Sequence, residues 1–365
     1  MRRAFSFRRI GVKQAAVMPS PVSVVIPARD ECHTIGACLA ALRRQTIGAE
    51  RLDVIVVAAG NDGTAEAATH AGSAQFGRFD VIELADGDKN AALRVGCARA
   101  IGDPLILLDA DTELSATAIA EFVRLLISEP RSVAHGAMVP RIDTWVARYS
   151  ELNRKLVKQL HFDGHLSGEV IALPRAALNE NDLTVLFPDA IGANCDAYLG
   201  RVLRQHGWCT RYAANAGATT LFPWTVRGLL ASQLRNRRSA MMTLPLREAA
   251  LQAAYSLMLW VALIAAIAVV PRSRILAMVC ATPLVVHVGA LAWRIASLRR
   301  SGYGSYWRAF PPYAVLDLTA RGLKCWAFVE RMLGRRPSSR FHGERPAAPL
   351  ASNAPVSLTA DRVKV

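Results

Sequence analysis

The chain has 365 residues, a formal net charge of +15 and 52% hydrophobic residues, enough for a large domain with additions. Its seven cysteines (32, 38, 97, 195, 209, 280 and 325) form no Cys-x-x-Cys pair and no Cys/His metal spacing. That excludes a zinc ribbon and a disulfide scaffold, and fits reduced thiols. The charge suits nucleic acid or an anionic membrane surface, but the arginines have few aromatics interleaved for base stacking, which argues against nucleic acid.

Residues 1–20 are basic and lack a continuous apolar run, so they read as a tail and not a signal peptide. From there to about residue 130 strand and helix alternate. "VSVVIP" (22–27) is an apolar, β-branched strand ended by Pro27. In the next segment Ile35, Cys38, Leu39 and Leu42 recur as on one helix face. "LDVIVVAAG" (52–60) is a second buried strand, "GTAEAATHAG" a short helix, and "FDVIEL" (79–84) a third strand. "DKNAALRVGCARAIG" is a helix and "PLILLDAD" the fourth strand. The repeat predicts an α/β fold with a parallel sheet and helices on both faces.

Ligands of such sheets bind beyond the carboxyl ends of the strands. Each strand here ends in a polar or tight segment: "PARDE", "AAGNDGT", "ADGDKN" and "DADTE". Asp109 and Asp111, at i and i+2, can hold Mg²⁺ or Mn²⁺ against a diphosphate. Alternatively, Asp111 simply opens the next helix.

Residues 131–225 are mixed, and an Arg-rich stretch follows. Residues 249–270 and 275–293 then carry no Asp, Glu, Lys or Arg. Each is near the ~20 residues that span a bilayer, and "PRSR" between them makes a hairpin. A pair of buried core helices is the alternative. Arginines flank the hairpin more heavily at its two open ends than at the link, so the positive-inside rule keeps both ends cytoplasmic. In residues 309–333 Asp317, Arg321 and Lys324 share one helix face. The segment reads as an amphipathic helix in the membrane interface, or as one packed on the catalytic domain. The tail after about 335 has a disorder-prone composition.

With these pieces in order, the chain resembles a membrane-attached bacterial family 2 glycosyltransferase over roughly residues 20–240. The resemblance rests on "VSVVIPARDECHTIGACLAALRRQT", "VIVVAAGNDGT", "DKNAALRVGCARAIGD" and "LLDADTEL". It implies a Rossmann-like nucleotide-diphospho-sugar transferase domain (21–240), a membrane region (241–333, helices about 249–270 and 275–297) and a C-terminal tail (334–365). It implies a nucleotide-sugar donor and a divalent metal, Mg²⁺ or Mn²⁺. Asp109 is then placed near the donor and the metal, and Asp111 on the metal. Pro27, Ala28, Arg29, Asp30 and Glu31 match the nucleotide-binding loop, although Asp30 and Glu31 also suit helix capping. Relatives often carry Asp before the glycine of the second loop; this chain has Ala58 and Ala59, so Asp62 or the backbone would meet the base. Lys89 and Asn90 match a donor-side segment, and Lys89 is equally plausible as an exposed helix-start lysine.

Inverting transfer needs a base to deprotonate the acceptor hydroxyl. Counting back from Gly207 and Trp208 gives Asp196, with Cys195 where relatives carry Glu. Asp196 also suits a helix N-cap, and Asp189 is the reserve. Gly168 matches the acceptor-side lining. "QLRNRR" (233–238) lies where many relatives carry Gln-x-x-Arg-Trp, here with Arg238 in place of the Trp, which leans toward single-sugar transfer. Gln233, Arg237 and Arg238 are thus assigned to the acceptor side. His161, His165 and His206 read as surface or packing histidines. The expected function is transfer to a lipid-linked or envelope acceptor at the inner membrane, by a multi-pass protein with a cytoplasmic catalytic domain. A catalytically degenerate relative is the main rival, since Ala59 and Cys195 replace usual acids. A nucleotidyltransferase would want a Gly-rich first loop, and a dehydrogenase would want G-x-G-x-x-G; neither is present.

Overall fold

The computed structural model describes residues 20–85, 88–154, 156, 166–189, 195–300 and 310–335. The two predicted tails, apart from the residues bordering them, and His161 and His165 lie outside this set.

Strands β1 (Val22–Arg29), β2 (Leu52–Ala59), β3 (Arg78–Leu84) and β4 (Leu105–Leu108) pair in parallel in the order β3-β2-β1-β4. Helices α1 (Ile35–Arg43), α2 (Thr64–Gly72) and α3 (Lys89–Arg99) connect them. The near-continuous apolar sequence of β1, β2 and β4 follows from burial on both faces, while the edge strand β3 is half-buried and carries Arg78, Asp80 and Glu83. Val24 and Ile26 enter one core with Ile35 and Leu39 of α1, while Val25 enters the other with Leu93 of α3. Gly96 lets α3 press onto β1, since a Cβ there would sit 2.3 Å from Val25 Cγ1.

Beyond β4 the sheet is mixed, unlike the all-parallel expectation. After the short β5 (Glu113–Leu114) and α4 (Ala118–Ser128) come β6 (Ser132–Pro140), α5 (Trp145–Arg154) and β7 (Val170–Leu173). Next are α6 (Arg175–Asn179), α7 (Leu183–Leu186), α8 (Cys195–Gln205) and β8 (Cys209–Thr220). Strand β7 runs antiparallel to β4 and to β6, and β6 pairs in parallel with β8 across a register shift at Gly136/Ala137. The full order is β3-β2-β1-β4-β7-β6-β8-β5.

Chain order reverses between β1 and β4, which makes their carboxyl ends a switch-point crevice. The β1–β4 ladder covers only Ser23–Val25 against Leu105–Leu107. Pro27 lies past it, where a missing N–H costs no bond to β4.

The remainder is helical: α9 (Val226–Thr243), α10 (Leu246–Val269), α11 (Arg274–Arg300) and α12 (Phe310–Met332). Helices α10 and α11 form a packed pair long and apolar enough to cross a membrane. Leu257, Val261, Ile264 and Ile267 of α10 and Met278, Val279 and Val285 of α11 are exposed. A patch of that kind is unusual on a water-facing surface.

Helix α12 packs against α9 and α10. Its amphipathicity is inverted relative to a helix that turns its charges to water. Asp317, Arg321 and Lys324 point into the seam with α10 and α11. Val315 (66% exposed), Trp326 (52%) and Met332 (60%) point outward.

Candidate active site

The site is assembled by the carboxyl ends of β1 and β4, the start of β7 and the first turns of α3 and α8. A small cavity there is lined by Pro27, Lys89, Leu93, Leu107, Leu108, Asp109, Gly168, Ile171, Phe187, Cys195, Asp196 and Leu199. Residues as distant in sequence as Pro27, Lys89, Asp109 and Asp196 therefore meet at the crevice the topology creates.

Lys89, in the first turn of α3, pairs with the Asp109 carboxylate and approaches the Gly168 carbonyl at 3.4 Å. Burial disfavours its charge, but Asp109, Cys195 and Asp196 around it hold the ammonium above its ordinary value. Asp109 is anchored from behind, its N–H donating to the Glu169 carbonyl at 2.9 Å. Burial lifts the Asp109 carboxyl above its usual range, Lys89 opposes that, and Glu169 and Asp196 add to it.

Asp111 is pushed up to about 8, first by burial, then by Asp109, Glu31 and Glu169, with Lys89 opposing. It accepts long hydrogen bonds from the hydroxyls of Thr112 (3.3 Å) and Thr220 (3.4 Å). Four carboxylates thus concentrate negative potential at the Asp109–Asp111 turn. A hard divalent cation fits that donor set. Among the described residues no three His, Cys, Asp or Glu side chains form a ready metal cage. A cation there would complete its shell with donor oxygens or water.

Asp196 lies in the first turn of α8, and its Oδ2 accepts the Gly168 N–H at 3.1 Å. A Cβ on Gly168 would sit 3.2 Å from Asp196 Cβ, so the glycine permits this approach. Cys195 lines the same cavity. Burial pushes its thiol up to about 11, against Lys89 and with Asp196 and Asp109, so it is neutral at physiological pH.

Other expected residues have different surroundings. The Asp62 carboxylate accepts from the N–H groups of Cys32 and Thr64, both at 3.1 Å. Burial alone would raise its carboxyl, but bonds from Thr64 and Cys32 hold it below its ordinary value. It ties the first loop to the second. Glu31 joins the same tie, its N–H donating to Thr64 Oγ1 at 2.7 Å. Asn90 is buried and donates to the Pro188 carbonyl at 2.7 Å. The reserve candidate Asp189 is 80% exposed, pairs with Arg94 and is not among the cavity residues.

The arginines of α9 require a correction. Counted from Gln233, the Arg and Trp positions of the motif are Asn236 and Arg237, so Arg238 lies one residue beyond it. Arg238 grips Glu330 of α12 with two 2.6 Å bonds, and Arg237 bonds Gln233 and faces Asp317. Arg235 is the α9 arginine that feels Asp109, Cys195 and Asp111; burial pulls it below its ordinary value despite them. Also unforeseen were Glu169 and Arg154, which form an ion pair, with Arg154 stacked 4.6 Å over Phe222. A lone Glu in "SGEV" and a helix-end Arg gave no sequence signal for that pair.

A parallel half with carboxylates at its switch point, continued by a mixed half, is the GT-A, Rossmann-like glycosyltransferase fold. Residues 23–176 match the family described as glycosyl transferase family 2. An N-acetylglucosaminyltransferase of Bradyrhizobium diazoefficiens is 27% identical over 253 residues, 62% of this chain and 50% of that protein. One of Sinorhizobium fredii is 26% identical over 322 residues, covering 78% and 77%. The match spans only half the length of the first of these relatives. A mannosyltransferase of Pyrobaculum calidifontis, solved with GDP-Man and Mn²⁺, shares the fold with a TM-score of 0.56 at 17% identity. That match covers 88% of this chain and 91% of the mannosyltransferase.

Proposed function

We propose that the protein is an inverting, metal-assisted glycosyltransferase that moves a sugar from a nucleotide-sugar donor to a lipid-linked or envelope acceptor. One observation carries this reading: Lys89, Asp109 and Asp196 line one cavity at the switch point, with Asp111 beside it. The names of the sequence relatives make an N-acetylglucosaminyl donor the first to test.

The Asp109–Asp111 turn would hold the divalent cation, Mg²⁺ or Mn²⁺, whose charge would stabilise the departing diphosphate. Lys89 keeps Asp109 oriented, and Arg235 adds positive charge on the same side. Pro27, Ala28 and Arg29 border the nucleotide side, with Glu31 and Asp62 fixing that loop's shape. Asp196 takes the proton of the acceptor hydroxyl. The oxygen then attacks the anomeric carbon from the face opposite the diphosphate, whose C–O bond breaks with its electron pair. The products are an inverted glycoside, a nucleoside diphosphate and protonated Asp196. Gly168 holds the base by its N–H and leaves room for the acceptor.

The exposed apolar hairpin supports attachment to the inner membrane as a multi-pass protein, and the flanking arginines support a cytoplasmic catalytic domain. The test is thermal stabilisation of the detergent-purified chain by UDP-, GDP- and dTDP-sugars, with and without Mn²⁺. Metal-dependent stabilisation by one donor class, lost in Asp111→Ala, is expected. No response by the folded wild type to any donor would favour the degenerate reading.

A further inference from the structure

The seam between α9, α10, α11 and α12 holds charges that the transfer reaction does not use. His287, inside α11, sits between Tyr255 (3.1 Å) and Asp317 (2.9 Å). Arg321 shares that carboxylate at 2.8 Å and lies over the Tyr255 ring. Arg237 faces Asp317 from α9, together with Tyr149 and Tyr313. Its Nε has no hydrogen-bond partner among the described residues. Lys324 bonds the neutral Gln252 side chain at 3.0 Å. Burial, then Arg237 and Arg321, pull its ammonium down to about 7. Arg321 and His287 thus bond one carboxylate, while Arg237 and Lys324 lie in its field and bond only neutral amide side chains. Buried charge without compensation is costly, and an anion would relieve it.

Arg235 and Arg237 are two residues apart, about 200° around the helix. Arg235 feels the Asp109 and Asp111 carboxylates, so the seam lies on the other flank of α9, about one helix diameter (~10 Å) away. An anion there is not the reacting group. The outward faces of α10, α11 and α12 are apolar. The ligand must pair negative charge with an apolar body.

We propose that Arg237, Arg321 and Lys324 form a seat for the phosphate of an anionic phospholipid, separate from the donor and acceptor sites. The proposal rests on the membrane-attached reading, so flotation of the wild type with neutral vesicles tests that attachment apart from the seat. The experiment is thermal unfolding of the full chain in phosphate-free detergent, with added phosphatidylglycerol, phosphatidylcholine or inorganic phosphate. Phosphatidylglycerol should raise the wild-type midpoint by about 3 °C, and phosphatidylcholine should not. Lys324→Gln and Arg237→Gln should cut that response by more than half, while the exposed Arg227→Gln keeps it. Without lipid, Lys324→Gln should unfold at or above the wild-type temperature, because it removes uncompensated charge. Lys324→Gln is decisive should Arg237→Gln fail to fold. A lower lipid-free midpoint for Lys324→Gln with an intact phosphatidylglycerol shift would overturn the seat and leave an internal ion network. Equal shifts with both lipids would overturn it too. A response to inorganic phosphate alone would overturn the lipid as its source.

Discussion

Replacing Asp111 by Asn should stabilise the metal-free protein while abolishing its response to metal and donor. The Asp111 carboxyl is pushed up to about 8, against 3.8 for the unperturbed group. Between those values the folded state binds more protons than the unfolded state. Stability therefore falls as pH rises through this window, and the loss is complete above about 8. At 1.36 kcal/mol per unit the ceiling is near 6 kcal/mol. Solvent reaching the cleft and adjustment of the Lys89–Asp109 pair reduce that to roughly 2 kcal/mol. Asn keeps the shape and can still accept from Thr112 and Thr220. In EDTA at pH 8 Asp111→Asn should thus unfold about 4 °C above wild type, and at pH 5 the gap should nearly close. With Mn²⁺ and donor the order should reverse, since only wild type gains. A lower midpoint for Asp111→Asn in EDTA at pH 8, or a gap that ignores pH, would refute the repulsion argument.

Gly168→Ala pushes a Cβ to 3.2 Å from Asp196 Cβ, so kcat should fall about 10- to 100-fold while metal-dependent donor stabilisation persists. Asp196→Asn should cost at least about 10²-fold in kcat, again with donor binding retained; a lowered KM-independent affinity instead would make Asp196 a structural cap. Arg235→Gln should weaken donor binding roughly tenfold by titration. Arg238→Gln should leave donor binding unchanged and lower stability by about 1 kcal/mol, since it removes the two bonds to Glu330 in a pair whose arginine is partly solvated.

The parallel half was readable because its signal is local. Strands β1 and β2, buried on both faces, are nearly all apolar and end where polar residues begin, and β3 keeps an apolar Val81–Ile82 centre, so 22–27, 52–60 and 79–84 fell within two residues of the observed strands. The mixed half was not. Strands β6 and β8, "SVAHGAMVP" and "CTRYAANAGATT", are rich in small residues, and their partners are distant in sequence. Packing, not intrinsic preference, holds such strands. The same holds within the site. Asp109, Asp111, Lys89 and Asp196 were visible because each sits at an element boundary, where spacing has meaning. Glu169 and Arg154 take their surroundings from the β7–β4 pairing and from α5, which nothing local specifies.

Helix α9 shows why residue type alone misassigned the arginines. Residues 235, 237 and 238 are chemically alike, but successive positions turn about 100°, so the three side chains fan around the helix. Which one meets the carboxylates depends on the phase set by packing. Buried Leu229, Gln233 and Met241 fix that phase, because each must face protein. Arg235 is then carried toward Asp109 while Arg237 and Arg238 are carried toward α12. For α12, expected as an interfacial helix or one packed on the catalytic domain, the structure turns the charged stripe inward against α10 and α11. A stripe of Asp317, Arg321 and Lys324 faces outward if the surroundings are water, and inward if they are apolar. The inward stripe and the outward Val315, Trp326 and Met332 therefore constitute an argument for lipid contact that is independent of the length and apolarity of α10 and α11. It also ties the catalytic domain to that surface, since Tyr313 of α12 bonds Asn153 of α5, the helix whose Arg154 pairs with Glu169 behind Asp109.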